Sequence, residues 1–86
     1  MDHLITRTPA RAVGTRIREL RDMLGISQTE LAELATVHSS NLGRIERGQS
    51  AASVDTLALI ASALGTSVSD LTMYVTAPPV TSLRVQ

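Results

Sequence analysis

There is no cysteine in this 86-residue sequence, which removes disulfides, thiolate zinc sites and cysteine nucleophiles together. With only 2 histidines besides, a metal site is not expected. Aromatic residues are nearly absent too. Tyr74 is the single one, so a core has to come from Leu, Ile, Val and Ala, whose small side chains suit short helices packed closely together. No apolar run is long enough to cross a bilayer. The opening stretch, MDHLITRTPAR, has neither the charged start nor the apolar segment of a signal peptide, so the expected location is cytoplasmic. With no nucleophile set, metal set or phosphate loop, neither an enzyme nor a cofactor is expected.

Net charge is missing as well: 8 basic residues face 8 acidic ones. A neutral chain has no overall attraction to nucleic acid, but charge position matters more than the total when a binding face is small. All 8 basic residues are Arg, and 7 of them fall within the first 50 positions. Arg carries a planar fork suited to two-pronged contact with phosphate or guanine. The length allows one domain with one core, and so small a core gains from a partner subunit.

Along the chain, residues 1–10 have the polar, mixed character of an arm, and His3 there is expected to be solvated. From Ala10 to Leu24, Val13, Ile17, Leu20 and Leu24 recur at helical spacing, and Gly25 suits the left-handed position after a helix. Ser27-Gln28-Thr29-Glu30 is a capping box, with Ile26 and Leu31 placed as its hydrophobic staple. It predicts a short helix from Gln28 to Ala35 with Leu31, Leu34 and Ala35 inward. Thr36-Val37-His38 interrupts it. A second short helix is predicted from about Ser39 to Arg47, burying Leu42 and Ile45 and stopping at Gly48. Ser53 is placed to cap a fourth helix from Val54 to Leu64, ended by Gly65, with Leu57, Ile60, Ala61 and Leu64 inward. Ser67 and Asp70 form a weaker capping pair for a fifth helix with Val68 and Leu71. Met23 and Met73 are expected to fill gaps in the packing. Pro78-Pro79 stops any helix. The tail alternates apolar and polar residues, which fits an edge strand or a disordered segment.

Residues 27–48, SQTELAELATVHSSNLGRIERG, carry the capping box, a small Ala32, a three-residue turn and the Ile-Glu-Arg-Gly end. They resemble the helix-turn-helix of the lambda repressor and Cro (XRE) family, and the likeness extends from about Val13 to Leu71. It implies an all-α, compact five-helix DNA-binding domain over 11–75, with the helix-turn-helix at about 28–47 and a C-terminal tail at 76–86. It further implies base contacts from Ser39, Ser40 and Arg44, with His38 and Asn41 beside them. Phosphate contacts are implied for Gln28, Thr29, Arg47, Gln49, Ser50, Arg16 and Arg21. Arg21 and Glu46 are expected to form a structural ion pair. Leu71, Met73, Tyr74 and Val75, with the tail, are the expected dimer surface.

Three features depart from the family pattern. Thr36 stands where Gly is usual, and a left-handed backbone there costs a β-branched residue about 1–2 kcal/mol, so a modified turn is expected. His38 stands where a capping Ser is usual, so Ser39 is expected to cap in its place. Ala51 and Ala52 fill a loop that is often basic, which lowers the number of phosphate contacts. Three readings stay open. The first is a homodimeric repressor on double-stranded DNA with a palindromic operator. The second is an antitoxin that represses its own operon and binds a toxin through its tail. The third is a protein-protein module that kept the fold alone. His38 as an exposed turn residue, and Arg16 and Arg18 as the wet face of a helix, are the plainer alternatives for those positions.

Overall fold

A computed structural model describes residues 8–75. The arm expected over residues 1–7 and the tail from residue 76 onward lie outside that range, as does any strand or toxin contact assigned to the tail. The described residues form five helices and no strand: α1 Pro9–Leu24, α2 Gln28–Ala35, α3 Ser39–Glu46, α4 Val54–Leu64 and α5 Val68–Leu71. None of them is long and apolar enough to cross a membrane.

Four of the five helices begin where a side chain satisfies the open end, and α3 is the exception. Thr8 accepts the Arg11 N–H at 3.1 Å, and Pro9 takes the first helical position, where a missing N–H costs nothing. Pro9 and Ala10 therefore belong to α1 and not to an arm. Ser27 and Glu30 make both bonds of their capping box, at 3.0 and 2.8 Å. Ser53 accepts the Thr56 N–H at 3.1 Å. Ser67 accepts the Asp70 N–H, but the Asp70 carboxylate turns away to other partners, so the last box is half made. The chain leaves α1 and α4 through Gly25 and Gly65, with φ of 71° and 72°. It leaves α2 through Thr36 at φ 57°, ψ 42°. The expected modified turn is therefore not found: threonine takes the left-handed conformation and bears the strain.

The core joins Val13 and Ile17 of α1, Leu31, Ala32 and Ala35 of α2, Leu42 and Ile45 of α3, Leu57, Ile60, Ala61 and Leu64 of α4, and Leu71. Two leucines assigned inward are outside it: Leu24 is 54% and Leu34 64% exposed. Leu34 falls about 100° round the helix from the stripe of Leu31, Ala32 and Ala35, a displacement that i, i+3 counting hides. Met23 and Met73 are also exposed, so neither fills a gap. Leu71, expected at a dimer surface, is 1% exposed; it closes the core from α5 and cannot face a partner.

α1 packs chiefly on α3, and α2 chiefly on α4. The first contact depends on Gly14. A Cβ built there would collide with the Ile45 carbonyl oxygen and lie 2.6 Å from that of Glu46, so only a hydrogen lets the two backbones meet.

Arg16 ties α1 to α5 instead of facing a phosphate. Its Nη2 donates to Asp70 Oδ1 at 2.8 Å, while Thr66 Oγ1 donates to Asp70 Oδ2 at 2.7 Å. The guanidinium also lies 5.9 Å from the centre of the Tyr74 ring, within cation-π range. The bond from Arg16, with help from Thr66, holds the Asp70 carboxyl below its ordinary value of 3.8. A lowered folded-state value means that this contribution to stability is whole above the ordinary aspartate pKa. It shrinks as pH falls below that point and is gone once pH passes the lowered value. Thermal denaturation along an acid series should therefore show Asp70→Asn less stable than the parent at neutral pH, with the gap closing at strongly acidic pH. A gap constant with pH would mean that the pair does not act through charge.

Candidate nucleic-acid interface

α3 is two-faced. Leu42, Gly43, Ile45 and Glu46 are buried, whereas Ser39, Ser40 and Arg44 are exposed and Asn41 is half-buried. The structure thus brings the expected base-contacting residues onto one outward surface. His38 is exposed at the cap position and makes no side-chain cap bond. Ser39 is the first helical residue, so the expected shift of the cap to Ser39 does not occur. The free N–H groups at this end of α3 keep no side-chain acceptor among the described residues, which leaves them open to an external one.

Behind this surface sits a polar knot. Arg21 Nε and Nη2 donate to Glu46 Oε2 and Oε1 at 2.8 and 3.1 Å, a two-pronged pair. Arg21 Nη1 donates to the Ile26 carbonyl at 3.0 Å. Gln28 Nε2 adds a bond to Glu46 Oε1 at 3.0 Å. The Glu46 side chain is 2% exposed and that of Arg21 13%. The bond to Glu46 pushes the Arg21 pKa up, further above its already high ordinary value, so the guanidinium stays charged. Every guanidinium nitrogen of Arg21 has a protein acceptor, which holds Arg21 in place as a structural cation.

Gln28 sits half-buried at the start of α2, and Thr29 is exposed next to it. Arg47 caps α3 and donates from Nε to Gln49 Oε1 at 3.1 Å; Arg47 and Gln49 are exposed and Ser50 half-buried. A Cβ at Gly43 would come 3.1 Å from Arg47 Nη1 and 3.5 Å from Gln28 Oε1. The glycine in mid-helix therefore makes room for these two side chains.

Among the described residues, no carboxylate comes within ion-pair reach of Arg11, Arg44 or Arg47, whereas Arg16 and Arg21 are held by acids. The neutral total thus conceals unspent positive charge around α3. Sequence reasoning missed Gly14 and the Gln28–Glu46 bond. The small residue one turn before Ile17 was the available signal for the first. Nothing in the spacing marked the second, because Gln28 and Glu46 are 18 residues apart.

A helix-turn-helix family model matches residues 17–71. Control protein C.SmaI of Serratia marcescens is 36% identical over 55 residues, 64% of this chain and 66% of that one; the match thus falls just short of two thirds of that relative. Among solved structures, the restriction-modification controller protein C.AhdI from Aeromonas hydrophila is 37% identical with a TM-score of 0.70, over 72% of this chain and 94% of that one. The clp gene regulator ClgR from Corynebacterium glutamicum is 35% identical with a TM-score of 0.73, over 76% and 69%. With the family model covering most of the chain and the exposed face of α3 in place, the protein belongs to the helix-turn-helix family, the DNA-binding regulators of transcription that residues 27–48 resemble.

Proposed function

We propose that the protein is a repressor that binds a palindromic operator as a homodimer, with α3 in the major groove. The observation that carries this is the surface of α3: Ser39, Ser40 and Arg44 point outward together, and Arg44 has no acid partner among the described residues. Arg44 would bond guanine O6 and N7, and Asn41 adenine or a phosphate, with His38 at the edge. Gln28 and Thr29 at the start of α2, and Arg47, Gln49 and Ser50 after α3, would hold the flanking phosphates. Met73 and Tyr74, 55% and 61% exposed, with half-buried Val75 beside them, are the dimer surface; Leu71 has no part in it. Two relatives carry the names of controller proteins, one of them of a restriction-modification system, which favours an operon controller over an antitoxin.

Selection of bound sequences from a random duplex library tests the reading. The expected product is an inverted repeat whose half-sites lie about one helical turn apart, ~34 Å. Arg44→Ala should erase the preference for one guanine in each half-site, a loss of about 1–3 kcal/mol of discrimination. No enriched sequence, or an unchanged one after Arg44→Glu, overturns it.

A further inference from the structure

The close approach that Gly14 permits has a second effect. Arg11, Thr15 and Arg18 share one face of α1, and the contact of α1 with α3 brings that face beside the end of α3. Together with Glu46 and Arg47 they line a cleft of about 390 Å³. Arg11, Arg18 and Arg47 are all exposed, and Thr15 is half-buried between them. Gly48, with φ of 73°, packs directly on Arg11 and holds the chain after α3 against this wall.

The cleft is short of negative charge. Among the described residues, Arg11 and Arg47 have no ion-pair partner, and Arg18 has only the exposed Asp22 at 3.9 Å, a pair of small value in water. The one acid in the wall, Glu46, is buried and already spent on Arg21 and Gln28. Three Arg residues thus border one opening, and the weak Arg18–Asp22 pair is the one ion pair that any of them makes among the described residues. A cleft lined by one sign of charge concentrates its field on whatever enters, and Arg forks match the oxygens of a phosphate. Arg47 links the cleft to α3, since its Nη1 rests near Gly43 in the same helix.

We propose that Arg11, Thr15 and Arg18 form a second phosphate anchor on α1, which with Arg47 grips the DNA backbone next to the groove that α3 enters. The anchor rests on the DNA-binding reading above. It replaces the contact once expected from Arg16, which faces the other way, and it compensates for Ala51 and Ala52 in the loop after α3.

The test measures affinity for a random-sequence duplex and for the selected operator across a salt series, using the full chain and fluorescence anisotropy. Arg11→Gln/Arg18→Gln should make the plot of log affinity against log salt shallower by about 0.9 for each lost contact, ~1.8 for the pair. At ~0.1 M salt that is about 60-fold weaker binding, with the order of preference among duplexes unchanged. Ala58→Glu/Ser62→Glu changes net charge equally, at exposed positions of α4 that do not line the cleft, and should leave the slope near that of the parent. Circular dichroism confirms that both variants fold. If the parent shows a salt-dependent slope that the Arg variant retains, or that the α4 variant loses equally, the anchor is wrong and the DNA-binding reading stands. A parent without salt-sensitive affinity for any duplex overturns both.

Discussion

Replacing Glu46 by Ala should lower the stability of this domain by about 3 kcal/mol, the lower end of the range for stranding one member of a buried ion pair. The lower end applies because one edge of Arg21 still reaches solvent, with 13% of its side chain exposed. The loss is large because one carboxylate serves three donors on two other helices. Without it a guanidinium keeps its charge near the core, and Gln28 loses its anchor at the start of α2. In a domain this small, ~1 kcal/mol moves Tm by about 4–8 °C, so a fall of about 12–24 °C is expected by thermal denaturation. The double change Arg21→Met/Glu46→Leu should recover most of that fall, since apolar replacement of the whole pair removes the stranded charge along with the bond. A single-variant loss no greater than that of a surface substitution would remove the knot from its structural role.

Gly14→Ala should be the other costly change, against the usual sign. In an exposed helix, alanine in place of glycine gains about 1 kcal/mol. Here the added carbon meets backbone oxygens of Ile45 and Glu46, which have no rotamer to escape into. Forcing atoms into a packed contact costs about 1–3 kcal/mol and sometimes more, so a net loss of about 2 kcal/mol is expected. The severity of the contact places the cost at the upper end of that range, and the ~1 kcal/mol gained from alanine leaves the net figure. Because the strain is relieved only by moving α1 away from α3, operator affinity should fall further than stability alone explains, and urea denaturation together with anisotropy on one sample checks both. A more stable variant with parental affinity would mean that the two backbones do not meet as described.

The helices were legible because their ends are local. The capping box at Ser27, Ser53 before α4 and the glycines after α1 and α4 each act within one turn, so they can be read without knowing the rest of the chain. Ile17, Leu31, Leu42 and Ile60 followed from the same periodicity. What went astray depends on neighbours distant in sequence. Leu34 has a core-like spacing but lies off the stripe that α4 covers. Leu71 looked like a surface residue of a last helix until α5 packed onto α4 and α1. Arg16, Arg18 and Arg11 are equivalent by composition; only the placement of Asp70 and of the end of α3 separates the paired one from the two in the cleft. The outward face of α3 was legible through resemblance, because the side that must be buried leaves the other no choice. The strain at Thr36 was readable as a cost, but not the fact that the chain accepts it.

The division of α3 into two sides has an engineering consequence. Its eight residues hold the packing on one side and the candidate reading surface on the other, with no side chain asked to do both. Positions 39, 40, 41 and 44 can therefore be randomised as a set, and most members of such a library should still assemble. New operator alphabets would then be reached by rewriting four letters on an indifferent chassis.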